Sequence, residues 1–407
     1  MTEPTAPAPD APGSGRPVPS APVPSAPATS APAPFASAPS VGAAPPQPAL
    51  PSPVTEYPVG FTGTAGEYFR LWIVNIALTF VTLGLYLPWA RVRNRQYFYG
   101  HSWVDGQNFE YRANPAALLR GYLLVAALFL INAVAGNFES TQWVAGVLLV
   151  VFVLAYPLLL RQSMRFQAVN TVHRGLRFRF HGTVGGAYVA YMLTNFVAAI
   201  SLGLALPWAW FMQRRYQAEG LAFGSARATF RGTVGPFYLI GLTALGLSIA
   251  GGVLIGVPLF ALGAALIAGT DFGGMNTDDL TSSVPFIAAL VAGYAAVLIL
   301  YAVAWQYVRG ATMLYVLNNM ELGGVVRTRA TFSPWRLVWI SLTNAAARVL
   351  TLGLASPWAA VRQTRYILAG VTVRAIAPLD SFAAGVGGEA SAFGEAATEL
   401  LDIQVGF

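Results

Sequence analysis

The sequence has no cysteine, no lysine and few charged residues of either sign. The absence of cysteine excludes disulfide bonds, thiolate metal sites and cysteine nucleophiles. Only 10% of its 407 residues are charged, whereas a soluble domain carries roughly 25% charged residues. So few charges cannot build a polar surface, but a surface that faces lipid needs none. The composition therefore predicts an integral membrane protein.

The residues that are present support this prediction: 55% are hydrophobic, and the formal net charge of +7 rests on arginine as the only strong base. The arginines lie in loops beside apolar segments, which indicates membrane topology rather than nucleic-acid binding. The three histidines lack metal-ligand spacing, and no acidic residue lies in the middle of an apolar segment. We therefore predict no enzyme activity, no cofactor and no metal site.

Composition divides the chain into three regions. Residues 1–56 are almost wholly proline, alanine, serine, valine and glycine, which predicts a disordered tail. Residues 380–407 carry acidic residues and no arginine, which predicts an acidic C-terminal tail. The membrane domain is expected between them, at 57–379.

One motif, Leu-Gly-Leu-x-x-Pro-Trp, occurs three times, at residues 83–89, 202–208 and 352–358. Each copy follows an asparagine by seven or eight residues and precedes a tyrosine that lies eight residues after the tryptophan. The asparagines are Asn75, Asn195 and Asn344, and the tyrosines are Tyr97, Tyr216 and Tyr366. This self-similarity predicts internal repeats at about 57–175, 176–325 and 326–379.

Seven apolar segments are predicted, at about 69–90, 116–136, 142–160, 187–210, 236–268, 284–308 and 337–360. The loop at Asn137 and the loop 269–284 lack arginine, so the positive-inside rule places them outside and both termini in the cytoplasm. Segment 187–210 then has basic loops at both ends. Glycine and proline permit a break in each motif segment, so we expect four spanning helices and three re-entrant or in-plane segments. Seven straight spans are the alternative.

Short strand patterns lie on the basic side of these segments. Apolar and charged residues alternate at 176–181, and residues 109–112 and 327–332 are similar, which is typical of half-buried strands. The expected fold is thus an all-α integral membrane protein: a multi-pass helical bundle of three internal repeats with broken or re-entrant segments and small cytoplasmic β-hairpins.

The motif also predicts an interfacial site, because tryptophan favours the headgroup layer and arginine reaches back to it. Binding of anionic phospholipid headgroups is the sharper hypothesis, since guanidinium groups bind phosphate. The expected partners are the bilayer, those headgroups and a second copy of the chain. The residues of this interfacial motif are Pro88, Trp89, Arg93, Pro207, Trp208, Arg214, Pro357, Trp358 and Arg362.

The repeated asparagines predict either inter-helix hydrogen bonds or a polar path, because an unbonded amide in hydrocarbon is costly. Arg348 lies four residues after Asn344, so both are expected on one helix face. An arginine inside an apolar segment is a candidate functional residue, directed towards protein or a cavity.

The stretch from Phe61 to Arg93 resembles the YjgN-like bacterial inner-membrane family, a domain of unknown function. It carries the resemblance through Phe61, Gly63, Gly66, Glu67, Tyr68 and Phe69, then Asn75, then Leu83, Gly84, Pro88, Trp89 and Arg93. The resemblance extends over about 57–379. It implies a multi-pass inner-membrane protein and supplies no activity or catalytic residues.

Two functions are consistent with these patterns. The first is a transporter or channel-like protein for a small solute or lipid, since transporters build sites from broken segments that carry polar residues. The alternative is a non-transporting membrane scaffold or envelope-stress component that binds a cytoplasmic partner. A polar cavity at the asparagines would favour the first, and asparagines buried in inter-helix hydrogen bonds would favour the second.

Overall fold

The computed structural model describes residues 54–138, 141, 143–268, 284–383 and 385. The predicted disordered tail lies outside the described residues except at its last three positions. The acidic tail is described only as far as residue 385, and the acidic part of loop 269–284 is not described.

Five successive strand–helix–helix–strand units make up the described chain. The strands are β1 Thr55–Phe61, β2 Ser102–Val104, β3 Gln107–Tyr111, β4 Thr171–His173, β5 Leu176–Phe180, β6 Leu221–Phe223, β7 Ala226–Phe230, β8 Met320–Leu322, β9 Val326–Ala330 and β10 Val371–Ala375. The helices are α1 Ala65–Val81, α2 Leu87–Gly100, α3 Pro115–Ala135, α4 Trp143–Val169, α5 Val184–Ile200, α6 Leu206–Glu219, α7 Gly235–Ala268, α8 Val284–Asn318, α9 Pro334–Leu350 and α10 Ser356–Ala369.

The ten strands close into one antiparallel barrel, in which each strand pairs with its neighbours in sequence and β1 pairs with β10. Tight turns join the units at one end of the barrel: two residues long between the first four units, and three residues long, 323–325, between β8 and β9. In the first turn Asp105 and Gly106 both have positive φ, at 51° and 72°, as a type I′ hairpin requires. The helices leave from the other end.

The predicted all-α fold is therefore wrong. The predicted strands at 109–112, 176–181 and 327–332 exist, but they are parts of a closed barrel rather than separate hairpin caps. Several strands are only three residues long, which is too short for a clear alternation pattern. The structural unit also occurs five times, and the three motif copies fall in the first, third and fifth units.

Mostly apolar side chains fill the barrel, together with the buried His173. Val104, Val326 and Ala375 are buried in one cluster. Leu379 and Phe382, which follow β10, pack against the same cluster at the end that carries the tight turns. The alternate strand positions face outwards and carry exposed arginines, namely Arg177, Arg227, Arg327 and Arg329.

The same kind of residue begins the first helix of every unit. Thr64, Asn114 and Thr183 accept a hydrogen bond from the first turn of α1, α3 and α5, which is the usual role of an N-cap side chain. Thr233 and Ser333 occupy the equivalent positions before α7 and α9. The Gly-Thr-x-Gly sequences are thus strand-to-helix junctions.

The helices form a ring above the barrel, since each packs on the next one in sequence and α10 packs on α1. Among the described helices, four are long and apolar enough to cross a membrane: Pro115–Ala135, Trp143–Val169, Gly235–Pro258 and Val291–Asn318. They belong to the second and fourth units. The other units have shorter helices, and each of the predicted segments 69–90, 187–210 and 337–360 contains the end of one helix and the start of another.

Candidate functional site: the short hairpins and the adjoining groove

Helices α1 and α2, α5 and α6, and α9 and α10 form three short hairpins, and the motif Leu-Gly-Leu-x-x-Pro-Trp forms the tip of each. Its first leucine has a left-handed backbone, with φ of 49° at Leu83 and 51° at Leu202 and Leu352. This conformation costs a non-glycine residue roughly 1–2 kcal/mol. The same three leucine side chains are each 94% exposed. The three tips thus share a left-handed and almost fully exposed leucine.

The tip turn satisfies its own backbone. In the first copy Gly84 N donates to Thr79 O at 2.8 Å and Leu83 N donates to Phe80 O at 3.1 Å, which is the Schellman pattern of a helix end. The hydroxyl of Thr82 then accepts from Tyr86 N at 3.0 Å. Ser201 and Thr351 cap the second and third copies in the same way.

Proline completes this arrangement because it has no N–H group to satisfy. Each backbone N–H from residue 82 to residue 87 donates within the turn, and Pro88 follows. Pro207 and Pro357 hold the equivalent positions, and all three prolines are buried. A non-helical turn can enter hydrocarbon only if its polar groups are bonded internally, and the N–H groups of these turns meet that condition.

A tyrosine hydroxyl makes a hydrogen bond between the two helices at the base of each short hairpin. Tyr97 Oη donates to Thr64 O at 2.8 Å and Tyr216 Oη donates to Thr183 O at 3.0 Å. In the fifth unit Ser333 N donates to Tyr366 Oη at 2.9 Å. The repeated tyrosine therefore joins the second helix of a hairpin to the N-cap of the first.

The three asparagines each bond across their own hairpin. Asn75 Nδ2 donates to Asn94 Oδ1 at 3.1 Å. Asn195 Oδ1 accepts from Gln213 Nε2 at 3.0 Å, and Asn344 Oδ1 accepts from Arg362 Nη1 at 3.0 Å. Asn75 and Asn344 are buried, whereas Asn195 is exposed and faces a groove.

The tryptophans and arginines of the interfacial motif take different roles in the three copies. The Arg362 guanidinium lies 5.0 Å from the Trp358 ring. In the first copy Arg93 lies over Tyr86, at 5.6 Å, rather than over Trp89. In the second copy, Arg214 Nη1 donates to Gln217 Oε1 at 2.9 Å, and Trp208 is half-buried.

Arg348 does not share the buried environment of Asn344. It lies in the last turn of α9, two residues before the helix ends, and its side chain is exposed. No hydrogen bond or ion pair joins its side chain to another residue of the described chain. The residue that meets Asn344 is Arg362, on the following helix.

A groove of about 680 Å³ lies between α4 and α5. Its lining is mostly apolar and aromatic: Phe152, Val153, Tyr156, Tyr188, Val189, Tyr191, Met192, Leu193, Asn195 and Phe196. Helix α5 contains a π-helical turn, Val189–Leu193, along this wall, and such turns are frequent at functional sites. No sequence pattern predicted this groove, because its residues match the apolar composition of the surrounding helices.

Comparison with known proteins agrees with the membrane character of the helices. The family model "Bacterial protein of unknown function (DUF898)" matches residues 56–400. Inner membrane protein YjgN of Salmonella typhimurium is 24% identical over 342 residues, covering 73% of this chain and 83% of the relative. YjgN of Escherichia coli K12 is 30% identical over 147 residues, covering 35% and 36%. No solved structure matches. The chain therefore belongs to the DUF898 family of bacterial proteins of unknown function.

Proposed function

We propose that this chain is a multi-pass inner-membrane protein that transports a lipid or a lipid-like solute along the groove between α4 and α5. The groove carries this proposal, because it is mostly apolar and is lined by Asn195, the one repeated asparagine that is exposed. An apolar wall with one amide suits a molecule that has a long hydrocarbon part and a polar group.

The proposed topology places the barrel and both termini in the cytoplasm. Both ends of every helical hairpin attach to the same end of the barrel, so a hairpin that enters the membrane must return to the side it left. The long hairpins α3–α4 and α7–α8 would cross and come back. The three short hairpins would enter with their leucine tips and return without crossing.

The proposed path is lateral rather than axial. A channel along the barrel axis would need a polar interior, whereas Val104, Val326 and Ala375 are buried together inside the barrel. The groove instead opens on the outside of the helices, where lipid would reach it.

Filling the groove tests this function. Leu193→Trp adds bulk to its wall, whereas Leu124→Trp adds the same bulk to an exposed position of α3 away from the groove. In proteoliposomes, transfer of a fluorescent phospholipid between leaflets should fall for Leu193→Trp and remain at the wild-type rate for Leu124→Trp. Equal rates for wild type and both variants, or no transfer above that of empty liposomes, would exclude the groove as the path.

The scaffold function has one observation in its favour. Exposed arginines on β5, β7 and β9 give the barrel wall a basic surface, which would suit an acidic partner protein. Replacing Arg177, Arg227 and Arg329 together with glutamine should then abolish capture of a partner while lipid transfer stays at the wild-type level.

A further inference from the structure

A second cavity, of about 390 Å³, lies between α2, α3 and α4, where these helices meet the barrel. Its wall includes two arginines, two tyrosines, two glutamines and a serine, and no acidic residue. This polar composition differs from that of the α4–α5 groove. The volume is enough for on the order of ten water molecules, and therefore for a phosphate group with a small substituent.

The arginines of this cavity have no acidic partner in the described chain. Arg91 and Arg95 are one helical turn apart on α2 and both line the cavity. Like charges at this spacing repel each other. Arg95 Nη1 donates to the Tyr111 hydroxyl at 2.8 Å, and the Arg91 guanidinium lies 5.1 Å from the Tyr122 ring. Their remaining N–H groups are free to bind an anion.

The hydroxyl of Tyr122 also lacks a partner. It is buried and has no hydrogen bond within the described structure. A buried donor without an acceptor is unfavourable, and a ligand oxygen in the cavity would accept from it. Two guanidinium groups and a hydroxyl together supply the donors that a phosphate oxygen shell uses.

We propose that this cavity is a binding site for a phosphate-bearing anion, held by Arg91, Arg95 and Tyr122. Tyr111 ends β3, so the cavity lies at the level of the barrel rim. A phospholipid headgroup and a soluble phosphate are the two sources of this chemistry. The site is separate from the α4–α5 groove and does not depend on the proposed transport.

Gly121 gives the test a variant that leaves the arginines in place. It lines the cavity, and a Cβ atom built on it meets no other atom within 4 Å. Gly121→Leu should therefore fill the cavity without disturbing the helix. The double variant R91Q/R95Q removes the charges. Arg120→Gln is the matched control, because Arg120 is an exposed arginine next to Gly121 that does not line the cavity.

The measurement is binding by the purified full-length chain in nanodiscs. One arm compares phosphatidylglycerol with phosphatidylcholine by native mass spectrometry, and the other titrates inorganic phosphate and follows the melting temperature. Retained phosphatidylglycerol should fall by at least about tenfold in R91Q/R95Q and in Gly121→Leu. It should remain at the wild-type level in Arg120→Gln.

Each outcome decides the proposal. A loss of lipid retention in the cavity variants alone supports a headgroup site. A loss of phosphate-dependent stabilisation in those variants alone, with lipid retention unchanged, supports a site for soluble phosphate. Equal behaviour of R91Q/R95Q, Gly121→Leu, Arg120→Gln and wild type in both arms overturns the site. Tyr122→Phe removes only the hydroxyl and keeps the ring, so it should fold normally. It should weaken binding in whichever arm the other cavity variants do, and such a loss cannot be attributed to misfolding.

Discussion

The Oδ1 atom of Asn344 accepts a hydrogen bond from Nη1 of Arg362 at 3.0 Å, so the most buried of the repeated asparagines is bonded to the arginine of its own motif. The Asn344 amide also donates to Ala359 O at 3.1 Å. Both bonds cross from α9 to α10. This asparagine therefore holds the two helices of the fifth unit together.

We predict that Asn344→Leu lowers the free energy of unfolding by about 0.5–2 kcal/mol. The variant leaves Ala359 O and the Arg362 guanidinium without their partner. Asn195→Leu should cost less, because Asn195 is exposed to the groove and water or ligand can replace it. Thermal unfolding in detergent measures both. Equal losses of unfolding free energy in the two variants would show that burial does not determine how much the asparagine hydrogen bond contributes to stability.

Two substitutions at one tip test whether the short hairpins enter the bilayer. Leu202→Asp should sharply reduce membrane-inserted protein, since a carboxylate in hydrocarbon costs up to about 3 kcal/mol. Leu202→Gly should be tolerated, because it loses apolar surface but removes roughly 1–2 kcal/mol of left-handed strain. The yield of folded protein in the membrane fraction is the readout. Similar yields for both variants would place the tip in water.

Single cysteines can map the topology on this cysteine-free chain. A cysteine at Ser225, in a barrel turn, should react with a membrane-impermeant maleimide only after the cells are permeabilised. A cysteine at Asn137, between α3 and α4, should react in intact cells. One at Leu83 should resist the reagent in both conditions. Reaction of the Ser225→Cys chain in intact cells contradicts a cytoplasmic barrel.

The barrel should lose stability in mild acid. His173 stacks on Phe109 inside the barrel with ring centroids 4.4 Å apart, and burial lowers its pKa below the usual 6.5, with nearby Arg174 acting in the same direction. The neutral ring is favoured in the folded state, so the unfolded chain takes up the proton first as the pH falls. The contribution of the neutral ring to the free energy of unfolding is fully present above about pH 6.5. It decreases as the pH falls from there to the pKa of His173 in the folded state.

The melting temperature should therefore fall between about pH 7 and about pH 5, and His173→Phe should reduce this slope. Burial and nearby arginines also lower the pKa of His181, so H173F/H181N should have a flatter profile than either single variant. An unchanged slope in the double variant would assign the pH dependence to other groups.

Part of this structure could be predicted from local patterns. The strand at 176–180 has apolar side chains at alternate positions, and Phe178 does face the barrel interior opposite Phe223. The break at each motif follows from its glycine and proline. Closure of the barrel could not be predicted, because it depends on Tyr57 pairing with Val373, and no local pattern connects residues so far apart in sequence.

The fivefold repeat of the strand–helix–helix–strand unit was also difficult to predict from the sequence, because equivalent positions hold different residue types. Asn114 and Ser333 serve at the same junction as Thr64 but are different residue types, and an N-cap requires only a short oxygen-bearing side chain. The partner of Asn344 was missed because helical spacing considers one helix at a time. Arg348 lies on that helix, but the bond is made by Arg362 on the next.

Because β1 pairs with β10 to close the barrel, the ribosome releases β1 long before one of its two partners has been made. The edge of β1 that will pair with β10 stays unpaired while α1 to α10 are synthesised. An exposed strand edge can pair with other chains. The barrel therefore cannot close before β10 has been synthesised, and any delay in translation prolongs the time during which β1 can pair with other chains.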